Sequence, residues 1–248
     1  MKEEILKNIK TEKDYQKFLD YLFAEQDLKY REFNAKIIVL NLDNLIGIRI
    51  PAIRKIAKEI VKGEYFDYLK IFETRLNENK ILYFEEKLIY TMVICNIKED
   101  FNNKLPKIDR IISLIDNWAL CDCALSSARF VRKNQECFYE YLLKKVDSQN
   151  PWELRFVLVS LLEYYMERKY LKNIFDICEH ITNEDYYVKM AKAWLLSICY
   201  VNFKMETFTF LKNCNLDKWT VNKTVQKIRE SLRVSKEEKE EILELKRK

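Results

Sequence analysis

Leu154, Val157, Leu158, Leu161 and Leu162 fall three and four positions apart, the spacing that lines one side of an α-helix. Immediately upstream stand Asn150 and Pro151, a cap and a first-turn proline, so the pattern predicts a helix beginning there. Comparable apolar runs occur as "LIYTMVI" (88–94), "FVLVSLL" (156–162) and "MAKAWLL" (190–196). Each follows an aromatic, and the aromatics Phe84, Trp118, Trp152 and Tyr186 are 34 residues apart every time. Around them stand "YFEEK", "NWALC", "PWELR" and "DYYVK". A unit of this length accommodates two helices and a short connection.

One helix pair cannot bury its apolar side alone, whereas stacked pairs share a continuous core. The period also matches tetratricopeptide repeats, but those need a framework of small residues that this chain lacks. The expectation is an all-α, HEAT-like helical-repeat solenoid (an α-α superhelix). It forms a single domain over 1–248, with a concave basic face built from the later helix of each pair. Composition agrees. Only two glycines and three prolines interrupt 248 residues, too few for the tight turns of sandwiches, barrels or doubly wound sheets. No apolar run is long enough to span a bilayer, and the N-terminus has no signal-like apolar stretch, so no membrane association is expected. Seven cysteines without framework spacing point to a reducing cytoplasm. The C-x-C at 121–123 has no matching pair and His180 is the only histidine, so buried thiols are expected rather than zinc.

Charge changes the picture in two places. Residues 218–248 carry ten Lys/Arg against six Glu, a basic end that fits either phosphate or a solvated tail. Three repeats also place a base three positions after the aromatic: Lys87, Arg155 and Lys189. Stacking aligns equivalent positions, so these bases should form a stripe flanking Asp122. Such a stripe suits a phosphate backbone or, equally, a solvated edge between repeats. The remaining repeat has Cys121 at that position and sets Trp118 and Asp122 one helical turn apart. An acid inside an anion-binding stripe is out of place, but an aromatic face beside a carboxylate suits a developing cation. Taken by itself, Trp194 reads as core.

With these residues in view, the chain resembles the AlkD-like DNA alkylation repair proteins, which are HEAT-like DNA glycosylases. The resemblance rests on the order and spacing of "GIRIPAIRKIAKEI" (47–60), "YFEEKLIY" (83–90), "IDNWALCD" (115–122), "NPWELRFVLV" (150–159), "YYVKMAKAWLLS" (186–197) and "NKTVQKIRES" (222–231). It implies excision of positively charged alkylpurines, N3-methyladenine and N7-methylguanine, from duplex DNA held in a basic cleft. The family's W-x-x-x-D falls on Trp118 and Asp122, its essential arginine on Arg155, and its second lesion-side tryptophan on Trp194. Lys87, Arg155, Lys189, Lys223 and Lys227 are then the expected DNA contacts. No cofactor or metal is implied, and a monomer acting on DNA with alkylated bases is expected.

Two stretches depart from the family pattern. Residues 34–46 are rich in β-branched side chains and poor in bases, and Ser197 stands where some active members carry arginine. A second expectation therefore stays open: a non-catalytic solenoid that binds DNA or a protein and retains the site residues.

Overall fold

In the computed structural model, which describes residues 2–81 and 83–248, the chain is all-helical, with no strand among the described residues. It divides into two compact units, residues 1–133 and 134–248. The first holds α1 (Lys2–Lys7), α2 (Glu12–Ala24), α3 (Leu28–Ile38), α4 (Ile50–Val61), α5 (Tyr65–Asn77), α6 (Phe84–Asn96), α7 (Phe101–Leu114) and α8 (Trp118–Ser127). The second holds α9 (Gln135–Leu143), α10 (Pro151–Tyr164), α11 (Arg168–His180), α12 (Tyr186–Asn202), α13 (Lys204–Asn213), α14 (Lys218–Glu230) and α15 (Lys236–Glu241), closed by a 3₁₀ turn over Ile242–Leu245.

The 34-residue step is the spacing of helix starts. Phe84, Trp118 and Tyr186 are the first residues of α6, α8 and α12, and Trp152 is the second of α10. Ile50, one further step upstream of Phe84, opens α4. Helices one step apart pack on each other: α4 on α6 and α6 on α8 in the first unit, α10 on α12 and α12 on α14 in the second. This is the helical repeat that the sequence predicts. The helices α6 and α12, each enclosed by two step-related neighbours, are buried on nearly every side, and α10 is largely buried too, whereas α7 and α11 keep one polar side. The starts of α8, α10, α12 and α14 are held by side-chain caps. Asn117, Asn150, Asp185 and Asp217 accept the backbone N–H of Leu120, Trp152, Tyr187 and Thr220 respectively.

Both glycines stand where a side chain does not fit. Gly47 has φ +98°, and a Cβ there would lie 2.6 Å from the Arg31 Cβ; at Gly63 it would lie 2.2 Å from the Lys7 carbonyl oxygen. Gly47 also sits in a tight backbone loop over a buried acid. The Glu85 carboxylate, 1% exposed, accepts the N–H groups of Ile46, Gly47 and Ile48 at 2.9, 2.7 and 3.3 Å. The adjacent Glu86 accepts the Tyr15 hydroxyl and the Tyr83 N–H. The two consecutive acids that open α6 therefore tie the loop before α4 and the start of α2 to one helix.

Glu85→Ala should orphan three buried donors and lower unfolding free energy by on the order of 3 kcal/mol or more. Equilibrium denaturant unfolding of the purified variant measures this, and a loss near zero would mean that the loop finds other partners.

Candidate active site and basic aromatic face

Trp118 and Asp122 lie one turn apart on α8, so both side chains project from one side of that helix. Neither is buried away: both are half-exposed. The Trp118 indole N–H donates to the Ile37 carbonyl at 3.4 Å, which ties the ring to the end of α3. Beside Asp122, burial and then the Asp122 charge push the Cys123 thiol up to about 11, with Arg54 opposing. Arg54 reaches across from α4 and donates to the Ser126 hydroxyl at 2.8 Å. Tyr30 of α3 joins the group, since burial and then Cys123 raise its hydroxyl above the ordinary tyrosine range. A thiol held this high is protonated near neutral pH and is no nucleophile. The polar equipment of α8's outer side is therefore a carboxylate, an indole and a guanidinium, which can stabilise charge but is not built for covalent chemistry.

Lys87 of α6 pairs with Asp116, directly before α8, and its side chain is 23% exposed. The other register bases lie in the second unit. Arg155 is only 4% exposed and donates to the Tyr187 carbonyl at 3.0 Å. Lys189 meets Glu184 at 2.9 Å and Asp217 at 3.0 Å, and those hydrogen bonds, Glu184's first, hold its ammonium above the ordinary lysine range. Lys223, 34 residues after Lys189, occupies the next register position on α14. Burial, then the positive charges of Lys223 and Arg155, pull the Lys227 ammonium below its ordinary range, with Glu230 opposing. Trp194 is half-buried on α12, and its carbonyl accepts the Ser197 hydroxyl at 2.7 Å.

Between these bases runs a ladder of aromatic rings. Trp152 meets Tyr187 at 4.9 Å, Tyr187 meets Tyr186 at 5.2 Å, and Tyr186 meets Trp219 at 5.7 Å. The ammonium groups of Lys189 and Lys223 each sit 5.6 Å from the Trp219 ring centre. The N-terminal halves of α10, α12 and α14 thus carry one continuous strip of rings and cations, with Trp152, Tyr186 and Trp219 in the first turns.

Residues 6–238, almost the whole chain, match the family described as DNA alkylation repair enzyme. The chain belongs to that family. Among curated proteins, none matches it. No helix among the described residues is long and apolar enough to cross a membrane. Among the described residues, no group of three His, Cys, Asp or Glu side chains is placed to hold a metal ion.

Reasoning from spacing alone overlooks three residues of these surfaces. Arg54 and Tyr30 reach α8 only through tertiary packing, although Arg54 lies inside the "GIRIPAIRKIAKEI" stretch. Trp219 stands one residue before the next 34-residue step from Tyr186, so extending the period by one unit would have found it. The charge relation at α8 is directly measurable. Asp122→Asn removes an anion beside Cys123, so the thiol should titrate at lower pH than in the wild type. Iodoacetamide labelling of Cys123 across pH, followed by peptide mass spectrometry, reads the shift; an unchanged profile would mean that the carboxylate does not face the thiol.

Proposed function

We propose that this repair enzyme is an N-glycosylase that excises positively charged alkylpurines, N3-methyladenine and N7-methylguanine, from duplex DNA. The observation that carries this reading is the Trp118–Asp122 pair, one turn apart and half-exposed on a helix whose neighbouring thiol is kept protonated. An N-alkylated purine is already cationic, so it leaves as a neutral base without a general acid. As the glycosidic bond breaks, its electron pair goes to the base and positive charge develops on the deoxyribose. The Asp122 carboxylate stabilises that charge, and water adds at the anomeric carbon, losing a proton to solvent. The Trp118 face offers the same cation a second favourable contact, and Trp194 is assigned the role of second lesion-side aromatic.

The grip on DNA is assigned to Lys87, Lys189, Lys223 and Lys227, with the aromatic strip beside Lys189 and Lys223. Arg155 contributes its charge and fixes the Tyr187 backbone, which supports the ring ladder. No cofactor is needed, because the substrate supplies the leaving-group activation. The reading also takes the chain as one functional monomer working in the cytoplasm.

One observation favours a second reading. Ile37, Val39 and Leu42 are large, apolar and exposed within residues 34–46, the stretch that departs from the family pattern, and exposed Phe33 directly precedes it. A solenoid that has exchanged part of its DNA contact for a protein partner would look like this.

Titration with an abasic duplex at several salt concentrations separates the two. The glycosylase should bind with a steep salt dependence, whereas absence of binding even at low salt selects the second reading. Asp122→Asn should leave affinity unchanged or higher, because an anion has been removed from a basic surroundings. Single-turnover excision should fall by about 100- to 1,000-fold. Equal losses in affinity and excision would instead make Asp122 a structural residue.

A further inference from the structure

Within the second unit, α14, α15 and the chain end enclose a groove of about 1180 Å³. Six cations line it, Lys218, Lys223, Arg229, Lys236, Lys239 and Lys246, against the two acids Glu230 and Glu240. Both acids are engaged: Glu240 faces Arg229 at 3.7 Å, and Glu230 accepts the Gln226 amide at 2.7 Å. Among the described residues, Lys218, Lys236, Lys239 and Lys246 form no ion pair.

The far wall is built rather than loose. Asn222 and Arg247 exchange hydrogen bonds between side-chain amide and backbone at 3.0 and 2.8 Å. The Arg247 guanidinium also donates to the carbonyls of Leu216 and Cys214, and Ile242 and Leu245 are buried. A Ser235–Glu238 capping box starts α15, and Lys204 anchors that helix through Glu238 and Glu241. The basic end is therefore not a solvated tail: its Arg247 is used to hold the fold, and its unpaired lysines are displayed along a fixed channel.

We propose that this groove binds the phosphodiester backbone of duplex DNA outside the lesion, an assignment that rests on the DNA-repair function proposed for the chain. The volume exceeds the usual range for a small-molecule pocket, and the cations are distributed over two elements and the chain end, with Lys218, Lys223 and Arg229 along α14 and Lys236 and Lys239 on α15, as a repeating anion requires. Trp219 and Lys223 belong both to the groove and to the ring-and-cation strip of α10, α12 and α14, so a backbone lying on the strip continues into the groove. Contacts of this kind add affinity and register without reading sequence.

The test uses the full chain and two undamaged duplexes, one short and one longer. Wild type should bind the longer duplex more tightly. The double variant Lys236→Glu with Lys239→Glu should lose that advantage, and its salt slope on the longer duplex should fall by about two. Excision by saturating protein should stay at the wild-type rate, which also shows that the variant is folded. Lys218→Glu, on α14 rather than α15, should lower the slope by about one and serves as an independent check. Retention of the length advantage and slope in both variants overturns the proposal while leaving the repair function standing. So does tighter binding of poly-glutamate than of DNA, which would make the groove a site for an acidic protein. Wild type that binds neither duplex at low salt sinks the repair function and this inference together.

Discussion

In each of the two units the stacked helices begin about one 34-residue step apart, and that constraint decides where charge and aromatic rings can accumulate. A helix packed between two equivalents has almost no free side along its length, so α6 and α12 are apolar nearly throughout. Polar chemistry is confined to the first turns, where the caps and the unsatisfied N–H groups also lie. That is where Trp118, Trp152, Tyr186 and Trp219 stand, the last three with a base three or four residues on. The buried polar groups elsewhere serve the stack itself: Glu85 holds the loop before α4, and the Lys104 ammonium donates to the Ile94 and Ile97 carbonyls at the end of α6.

The same constraint accounts for how little catalytic equipment α8 carries. A short inner helix offers one exposed side, and here it presents an indole, a carboxylate and a thiol that burial keeps protonated. Such a set is poor at proton transfer and at nucleophilic attack. It is adequate for a reaction whose leaving group already carries the positive charge, because the remaining need is electrostatic. The proposed chemistry and the family therefore agree without invoking a general acid.

Much of the architecture was legible in the sequence because periodicity records packing directly. The 34-residue spacing gave the repeat, and Asn150-Pro151 gave a helix start that α10 confirms to the residue. Partners across the stack were not legible. Nothing in "PWELR" announces that Arg155 turns inward to the Tyr187 carbonyl, or in "DYYVK" that Lys189 meets Asp217 from the next inner helix. A base in the right register can face phosphate or a neighbouring carboxylate, and spacing alone does not distinguish them. Arg54 was hidden for the same reason, since its reach to Ser126 depends on how α4 and α8 flank α6. Residues 34–46 stand out in the sequence only as a departure from pattern; that Ile37, Val39 and Leu42 within them are exposed is a property of the folded chain.

The most direct test of the account is chromatography of the bases set free when wild-type protein is incubated with methylated duplex DNA. The account predicts free N3-methyladenine and N7-methylguanine, with abasic sites left in the strand and unmodified purines untouched. Tight, salt-dependent binding of the same duplex with every methylated base still attached would contradict it.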